Sequence, residues 1–180
     1  MKKINQQKII IREKIRLLKD SYSYHEKRML SMMVIDKLEQ DTDFLEAQKV
    51  LAYWSLEDEV DTKEFIKKWA QAKEIYLPVV VEDELELRLF TTTNNMKVEP
   101  RYGIFEPLGK AFTQWSTIDF AIIPGVAFDM QMNRLGRGKG FYDRLLPQLN
   151  AIKVGICFPF QVVDEVAVND NDIPMDKLYY

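Results

Sequence analysis

Residues 119–123 read Asp-Phe-Ala-Ile-Ile and stop at Pro124-Gly125, an apolar run without polar alternation that ends on strong turn residues. A run of this kind reads as a strand buried on both faces, so the chain must supply covering layers on either side of its sheet. Residues 49–54, 75–81 and 153–158 read as further strands, with Pro78 expected near the end of its own, and 86–90 alternates like a half-exposed strand. Helical patterns fall between them. One spans residues 3–20, with Ile11, Ile15 and Leu18 on one face and Lys8, Arg12 and Lys19 largely on others. A second starts at the capping box Ser23-Tyr24-His25-Glu26 and carries Met29, Leu30, Met33, Val34 and Leu38 as a core stripe. Others follow Asp61-Thr62 and cover residues 141–149. Strands interleaved with helices predict an α/β sandwich around a largely parallel sheet, and 180 residues fit one domain, 1–180.

One histidine, His25, and one cysteine, Cys157, limit the available chemistry. They cannot build a four-ligand zinc site of cysteines and histidines, or an intrachain disulfide. His25 sits in a charged helical segment beside Glu26 and Lys27, and Cys157 in the apolar run Val154–Phe158, so both read as structural. Chemistry must then come from carboxylates, Lys, Arg, Tyr, backbone amides or a hard metal ion. The net charge of -3, from 25 basic and 28 acidic residues, argues against a general nucleic-acid coat. No apolar stretch approaches the roughly 20 residues a membrane span needs, and the N-terminal residues lack a signal-peptide core, which predicts a soluble, cytoplasmic protein.

The segment Asn133-Arg134-Leu135-Gly136-Arg137-Gly138-Lys139-Gly140-Phe141-Tyr142-Asp143 carries the most chemical information. Its alternate glycines let backbone amides approach an anion, and Arg134, Arg137 and Lys139 add positive charge. A helix beginning near Gly140 would add its N-terminal amides. The pattern is neither a Walker A loop, since Gly140 follows Lys139, nor a dinucleotide fingerprint. A polyphosphate cradle is the favoured reading; a flexible basic turn or an RNA-binding Arg-Gly segment are the alternatives. Polyphosphate in enzymes usually comes with Mg2+, which needs only one or two carboxylates; Asp143 and the cluster Asn169-Asp170-Asn171-Asp172 supply candidates. Between Thr91 and Thr117 the pattern weakens into a long loop packed by Tyr102, Phe105 and Trp115.

The runs Ile123–Asp129 and Arg134–Asp143 resemble the signature of the 5-formyltetrahydrofolate cyclo-ligase family, and the likeness extends over nearly the whole chain. Lys8-x-x-x-Arg12 is similar to the family's nucleotide-contacting pair. Residues 55–62 resemble its folate-side turn, with Glu59 at the substrate-binding glutamate, and 171–176 its closing motif, with Asp172 at a magnesium ligand. Met132 stands where members commonly have glycine, Tyr102 where Trp is frequent, and Phe105 in place of a common proline.

The resemblance implies a three-layer α/β/α fold shared with sugar-phosphate isomerases and CoA transferases. It implies ATP- and Mg2+-dependent cyclisation of 5-formyltetrahydrofolate, polyglutamylated forms included, by a monomer without nucleic-acid or membrane partners. ATP is expected on Lys8, Arg12, Arg134, Leu135, Gly136, Arg137, Gly138, Lys139, Gly140, Phe141 and Tyr142. Folate is expected on Trp54, Glu59, Tyr102 and residues 137–141. Arg137, Lys139 and Tyr142 are expected to be catalytic, and Asp143 and Asp172 to hold the metal. An isomerase or transferase of a phosphorylated metabolite, or an RNA-binding module, are the competing functions; ATP and folate dependence separates them.

Overall fold

The computed structural model describes residues 2–100, 103–169 and 172–180. Its elements, in chain order, are α1 (Lys2–Ser21), α2 (Tyr24–Glu39), α3 (Thr42–Glu46), β1 (Lys49–Leu51), α4 (Lys63–Trp69), β2 (Glu74–Val81), β3 (Glu84–Leu89), β4 (Met96–Val98), β5 (Phe105–Pro107), β6 (Phe120–Pro124), β7 (Ala127–Asp129), β8 (Arg134–Leu135), α5 (Phe141–Leu145), β9 (Ile152–Ile156), β10 (Val162–Val163) and β11 (Lys177–Tyr179).

Six strands form the central sheet in the order β11-β9-β6-β1-β2-β3. Every neighbouring pair is parallel except the β2–β3 hairpin. Phe120, Ala121, Ile122 and Ile123 of β6 are fully buried, as a strand covered on both faces requires. Alternate residues feed two cores. Val50, Ile75, Phe120, Ile122 and Val154 pack against α2, α3 and α4, while Leu51, Ala121, Ile123 and Tyr76 pack against α5 and Phe128. A second sheet, β10-β7-β8, lies under α1 through Ile15, Ala127, Leu135 and Val166.

The capping box of α2 forms as expected: Glu26 N–H donates to Ser23 Oγ, and Ser23 N–H donates to Glu26 Oε2 at 2.8 Å. Its core stripe differs from expectation. Ser31, Val34 and Leu38 are buried, whereas Met29 and Met33 are 48% and 56% exposed, because they lie about 100° or more around the helix from that line. On α1, likewise, Lys8 and Lys19 are not on a solvent face. They share the buried face of Ile15, at spacings of seven and four residues, and reach loop carboxylates.

Pro78 lies inside β2, not near its end. The pairing of β1 with β2 stops at Tyr76, so beyond that point β2 has an open edge on which no neighbouring strand needs a Pro78 N–H. The described residues between Thr91 and Thr117 are more ordered than a loop, since β4 and β5 pair as an antiparallel ribbon. The helix expected over 141–149 is α5 followed by a 3-10 turn at Leu146–Gln148, where Pro147 interrupts it. The C-terminal stretch contributes an edge strand, β11, that the sequence reading did not contain. Met132 has a φ of 67°, which explains why glycine suits that position: the left-handed turn costs an ordinary side chain about 1–2 kcal/mol. The turn is held by Asp129, whose buried carboxylate accepts backbone N–H groups from Gln131, Asn133 and Val166.

Candidate active site

The sheet reverses its winding at β1: chain order runs one way to β2 and the other way to β6. Loops leaving the carboxyl ends of two such strands diverge and leave a crevice between them. A cavity of about 460 Å³ opens there, within the usual size of small-molecule sites. Its walls include Tyr53, Trp54, Leu56 and Glu59 after β1, Pro124 and Gly125 at the end of β6, and residues 134–143.

One end of the cavity is basic. Gly138 and Gly140 hold φ values of 100° and 70°, so the segment turns twice through conformations that favour glycine, and the Arg12 and Arg144 guanidiniums lie close against their bare Cα positions. Lys139 is exposed on this turn and forms no ion pair among the described residues. Arg137 reaches across the mouth, its Nη2 donating to Asp58 Oδ1 at 2.7 Å and Glu59 Oε1 at 3.0 Å. Burial opposes its charge, but the two carboxylates outweigh burial and hold the guanidinium pKa above its ordinary value.

Arg134 is differently employed. It is buried, donates to Asp143 Oδ1 at 2.7 Å and to the Pro124 carbonyl at 3.3 Å, and lies over the Tyr142 ring. It therefore braces the cradle against β6 and α5. Leu135 has its side chain in the α1 core, so only its backbone can face a ligand. Tyr142 lines the cavity, with its phenol pKa raised by burial and then by the Glu59 charge. Phe141 begins α5, a helix of only five residues, so the anion-binding contribution expected of its N-terminus is small.

The first helix spans this end like a clasp. Lys8 Nζ lies 2.5 Å from Asp172 Oδ2, Arg12 Nε donates to the Gly136 carbonyl at 2.9 Å, and Lys19 Nζ donates to Asp58 Oδ2 at 2.8 Å. Three residues on one helical face thus connect the C-terminal segment, the glycine cradle and the turn after β1. Asp143 and Asp172 both exert their charge on Arg12, although burial outweighs them and lowers its pKa. One oxygen of each aspartate, Oδ2 of Asp143 and Oδ1 of Asp172, accepts no hydrogen bond among the described residues. No group of three or more metal-ligating side chains converges among those residues. Two hard carboxylates beside a polyanion cradle nevertheless fit Mg2+, which takes one or two protein oxygens and completes its shell with phosphate and water.

The other end is apolar, walled by Trp54, Leu56, Pro78, Val80, Leu85 and Ile104. Trp54 stacks on Phe90 with ring centroids 5.7 Å apart and also faces the cavity. Tyr102, and Asp170 and Asn171 of the acidic cluster, lie outside the described residues. Among residues the sequence reading passed over, Asp58 links Lys19 to Arg137 and Glu106 sits in the apolar wall. Asp58 was visible only as part of an acidic turn; Glu106, between Phe105 and Pro107, carried no periodic or motif signal.

A crevice at the switch point of a mostly parallel sheet, basic and glycine-lined at one end and apolar at the other, defines an α/β protein able to take a polyanion beside a flat organic ring. The chain belongs to the 5-formyltetrahydrofolate cyclo-ligase family, whose model it matches over residues 4–180. The Haemophilus influenzae 5-formyltetrahydrofolate cyclo-ligase is 33% identical over 141 residues, covering 72% of this chain and 74% of that protein. The Mus musculus protein of the same name is 22% identical over 192 residues, 98% of this chain and 95% of its own. The NMR structure of Aquifex aeolicus 5,10-methenyltetrahydrofolate synthetase superposes with a TM-score of 0.85 at 35% identity, covering 96% of this chain and 88% of that one. Among the described residues no helix is long and apolar enough to cross a membrane.

Proposed function

We propose that the protein converts 5-formyltetrahydrofolate and MgATP to 5,10-methenyltetrahydrofolate, ADP and phosphate. The observation that carries this reading is the single cavity in which the Arg137–Gly140 cradle and the apolar Trp54 compartment are continuous. Such a cavity brings a triphosphate against a ring system, which neither sugar-phosphate isomerisation nor RNA binding requires. Family membership supports the same reaction.

The oxygen of the N5-formyl group is amide-like, hence a poor leaving group, and must be activated. In the proposed reaction it attacks the γ-phosphorus and displaces ADP, giving a phosphorylated iminium. The N10 amine then adds to the formyl carbon and gives up its proton to the departing phosphate as the C–O bond breaks. Phosphoryl transfer of this kind depends chiefly on positioning and charge stabilisation. Lys139 and the amides of residues 136–140 hold the triphosphate. Arg137 stabilises charge on the transferred group as it leaves Asp58 and Glu59. Lys8 and Arg12 close the site from α1, while Arg134 keeps Asp143 and Tyr142 in place. Tyr142, Phe141 and Trp54 enclose the folate, with Glu59 beside it. Asp143 and Asp172 would hold Mg2+, which would supply neutralisation of the polyphosphate charge.

The whole chain acts as one cyclo-ligase domain, in a three-layer α/β/α arrangement akin to the sugar-phosphate isomerases and CoA transferases. It works as a cytoplasmic monomer that accepts polyglutamylated folate. The test is ultraviolet absorbance of the methenyl product. It should rise only when 5-formyltetrahydrofolate and MgATP are both present and should fall strongly in folded Lys139→Ala; product formed at the parental rate by that variant would remove the cradle from the mechanism.

A further inference from the structure

Glu106 is the one described residue whose side chain leaves a buried polar atom without a hydrogen-bond partner. It lies on β5, is 1% exposed, and forms part of the apolar wall of the cavity. Its position follows from the shortness of β1. Past Tyr76, the open edge of β2 offers Pro78, which has no N–H, and then Val80, whose N–H would be stranded. Glu106 Oε1 accepts that N–H at 2.7 Å, so the carboxylate occupies the place a longer β1 would have filled. Its other oxygen, Oε2, is buried with no donor.

Burial, followed by the charge of Glu99, raises the Glu106 pKa against the Val80 hydrogen bond and the charges of Lys97 and Arg88. Buried acceptors ordinarily find partners, and an orphan in a cavity wall marks a place where a ligand supplies the donor. Glu59 is not equivalent, because its Oε1 is taken by Arg137 and its Oε2 by the Leu56 N–H.

We infer that Glu106 grips the N–H edge of the pterin ring of 5-formyltetrahydrofolate and thereby sets which way the ring lies in the cavity. A reduced pterin carries two adjacent donors, N3–H and the 2-amino group, at the end remote from N5 and N10. A carboxylate with an open oxygen complements that pair. Adenine matches it less well, since its amino group is flanked by a ring acceptor that would face the carboxylate. With the donor edge held at Glu106 and the ring between the side chains of Trp54 and Val80, the opposite edge, which bears the formyl group, points toward the basic cradle. The inference rests on the proposed cyclisation for the identity of the ring, and it assigns a specificity-determining residue that the sequence motifs do not contain.

The test compares the parent with Glu106→Gln, which retains an oxygen for Val80 but turns an amino group toward the pterin donors, and with Glu106→Ala. Calorimetric binding of 5-formyltetrahydrofolate without nucleotide should weaken by roughly tenfold or more in both variants, as expected for loss of a charge-assisted hydrogen bond. The KM for ATP should remain near the parental value, and thermal melting should show that Glu106→Gln is folded. Unchanged folate binding, or a rise confined to the KM for ATP, would overturn the inference. Failure of the parent to turn over folate that it binds through Glu106 would instead refute the proposed reaction and leave the ring-gripping role standing.

Discussion

Arg137 and Glu59 meet across the mouth of the cavity, with Nη2 of the arginine 3.0 Å from Oε1 of the glutamate and 2.7 Å from Oδ1 of neighbouring Asp58. The pair joins the glycine cradle to the turn after the first strand, so the residue expected to meet the transferred phosphoryl group also closes the site. Arg137→Ala should lower kcat/KM by about 10²–10³, the scale of losing a stabilising donor in an enclosed site. Arg137→Lys should recover little, because a point ammonium cannot reproduce the two-pronged grip of a planar guanidinium on a phosphoryl group. Steady-state kinetics on variants with parental circular dichroism provides the measurement; full activity in Arg137→Lys would reduce the arginine to a point charge.

The Lys8–Asp172 pair, buried at the lysine and half-buried at the aspartate, fastens α1 to the C-terminal segment. Removing one partner leaves a charge without its counter-ion, so Lys8→Met or Asp172→Leu alone should destabilise the protein by about 3 kcal/mol. The double variant should lie closer to the parent than either single variant. Urea unfolding at constant pH measures all four corners of the cycle, and strictly additive losses would contradict a coupled pair.

Local patterns made much of this architecture legible. Ser23 and Glu26 lie within one turn, so the start of α2 could be read directly, and the apolar β6 announces its own burial. The cradle was equally visible because its glycines and cations are contiguous. What escaped depends on distant partners. β11 is three residues long and exists through pairing with β9; the open edge of β2 at Pro78 depends on where β1 stops. The stripe expected on α2 holds at Val34 and Leu38, with Leu30 against the core, but not at Met29 and Met33, because several apolar spacings compete there and only the packed sheet selects among them. Glu106 was illegible for the same reason: its importance comes from Val80, 26 residues away in the chain.

Cys157 is buried in the core beside β9, and burial pushes its thiol pKa up to about 12. The native protein should therefore resist alkylation by iodoacetamide at pH 8, whereas the urea-unfolded chain should react fully, because the thiolate is the reactive species. Mass spectrometry distinguishes the two states. Rapid native labelling would show that the pocket around Cys157 opens.

Glu106 gives the ligand-free protein a defined pH dependence. Its carboxyl pKa is raised in the folded state, by burial and then by Glu99. Below the ordinary glutamate range the folded and unfolded chains are both protonated at this position. As pH rises through that range the unfolded chain releases its proton first, so the folded state loses relative stability until Glu106 itself ionises. The difference in melting temperature between Glu106→Gln and the parent should therefore grow in favour of the variant from pH 4 upward and then level off. Comparing the two proteins cancels the other titrating groups, and a difference independent of pH would contradict the raised pKa.

The proposed reaction rests on direct activation of the formyl oxygen by ATP. It is tested by turnover of 5-formyltetrahydrofolate carrying oxygen-18 in the formyl group, with mass analysis of the phosphate released. Attack of that oxygen on the γ-phosphorus requires the label to leave in phosphate, in step with ADP and methenyl product. Unlabelled phosphate alongside normal product would contradict the mechanism.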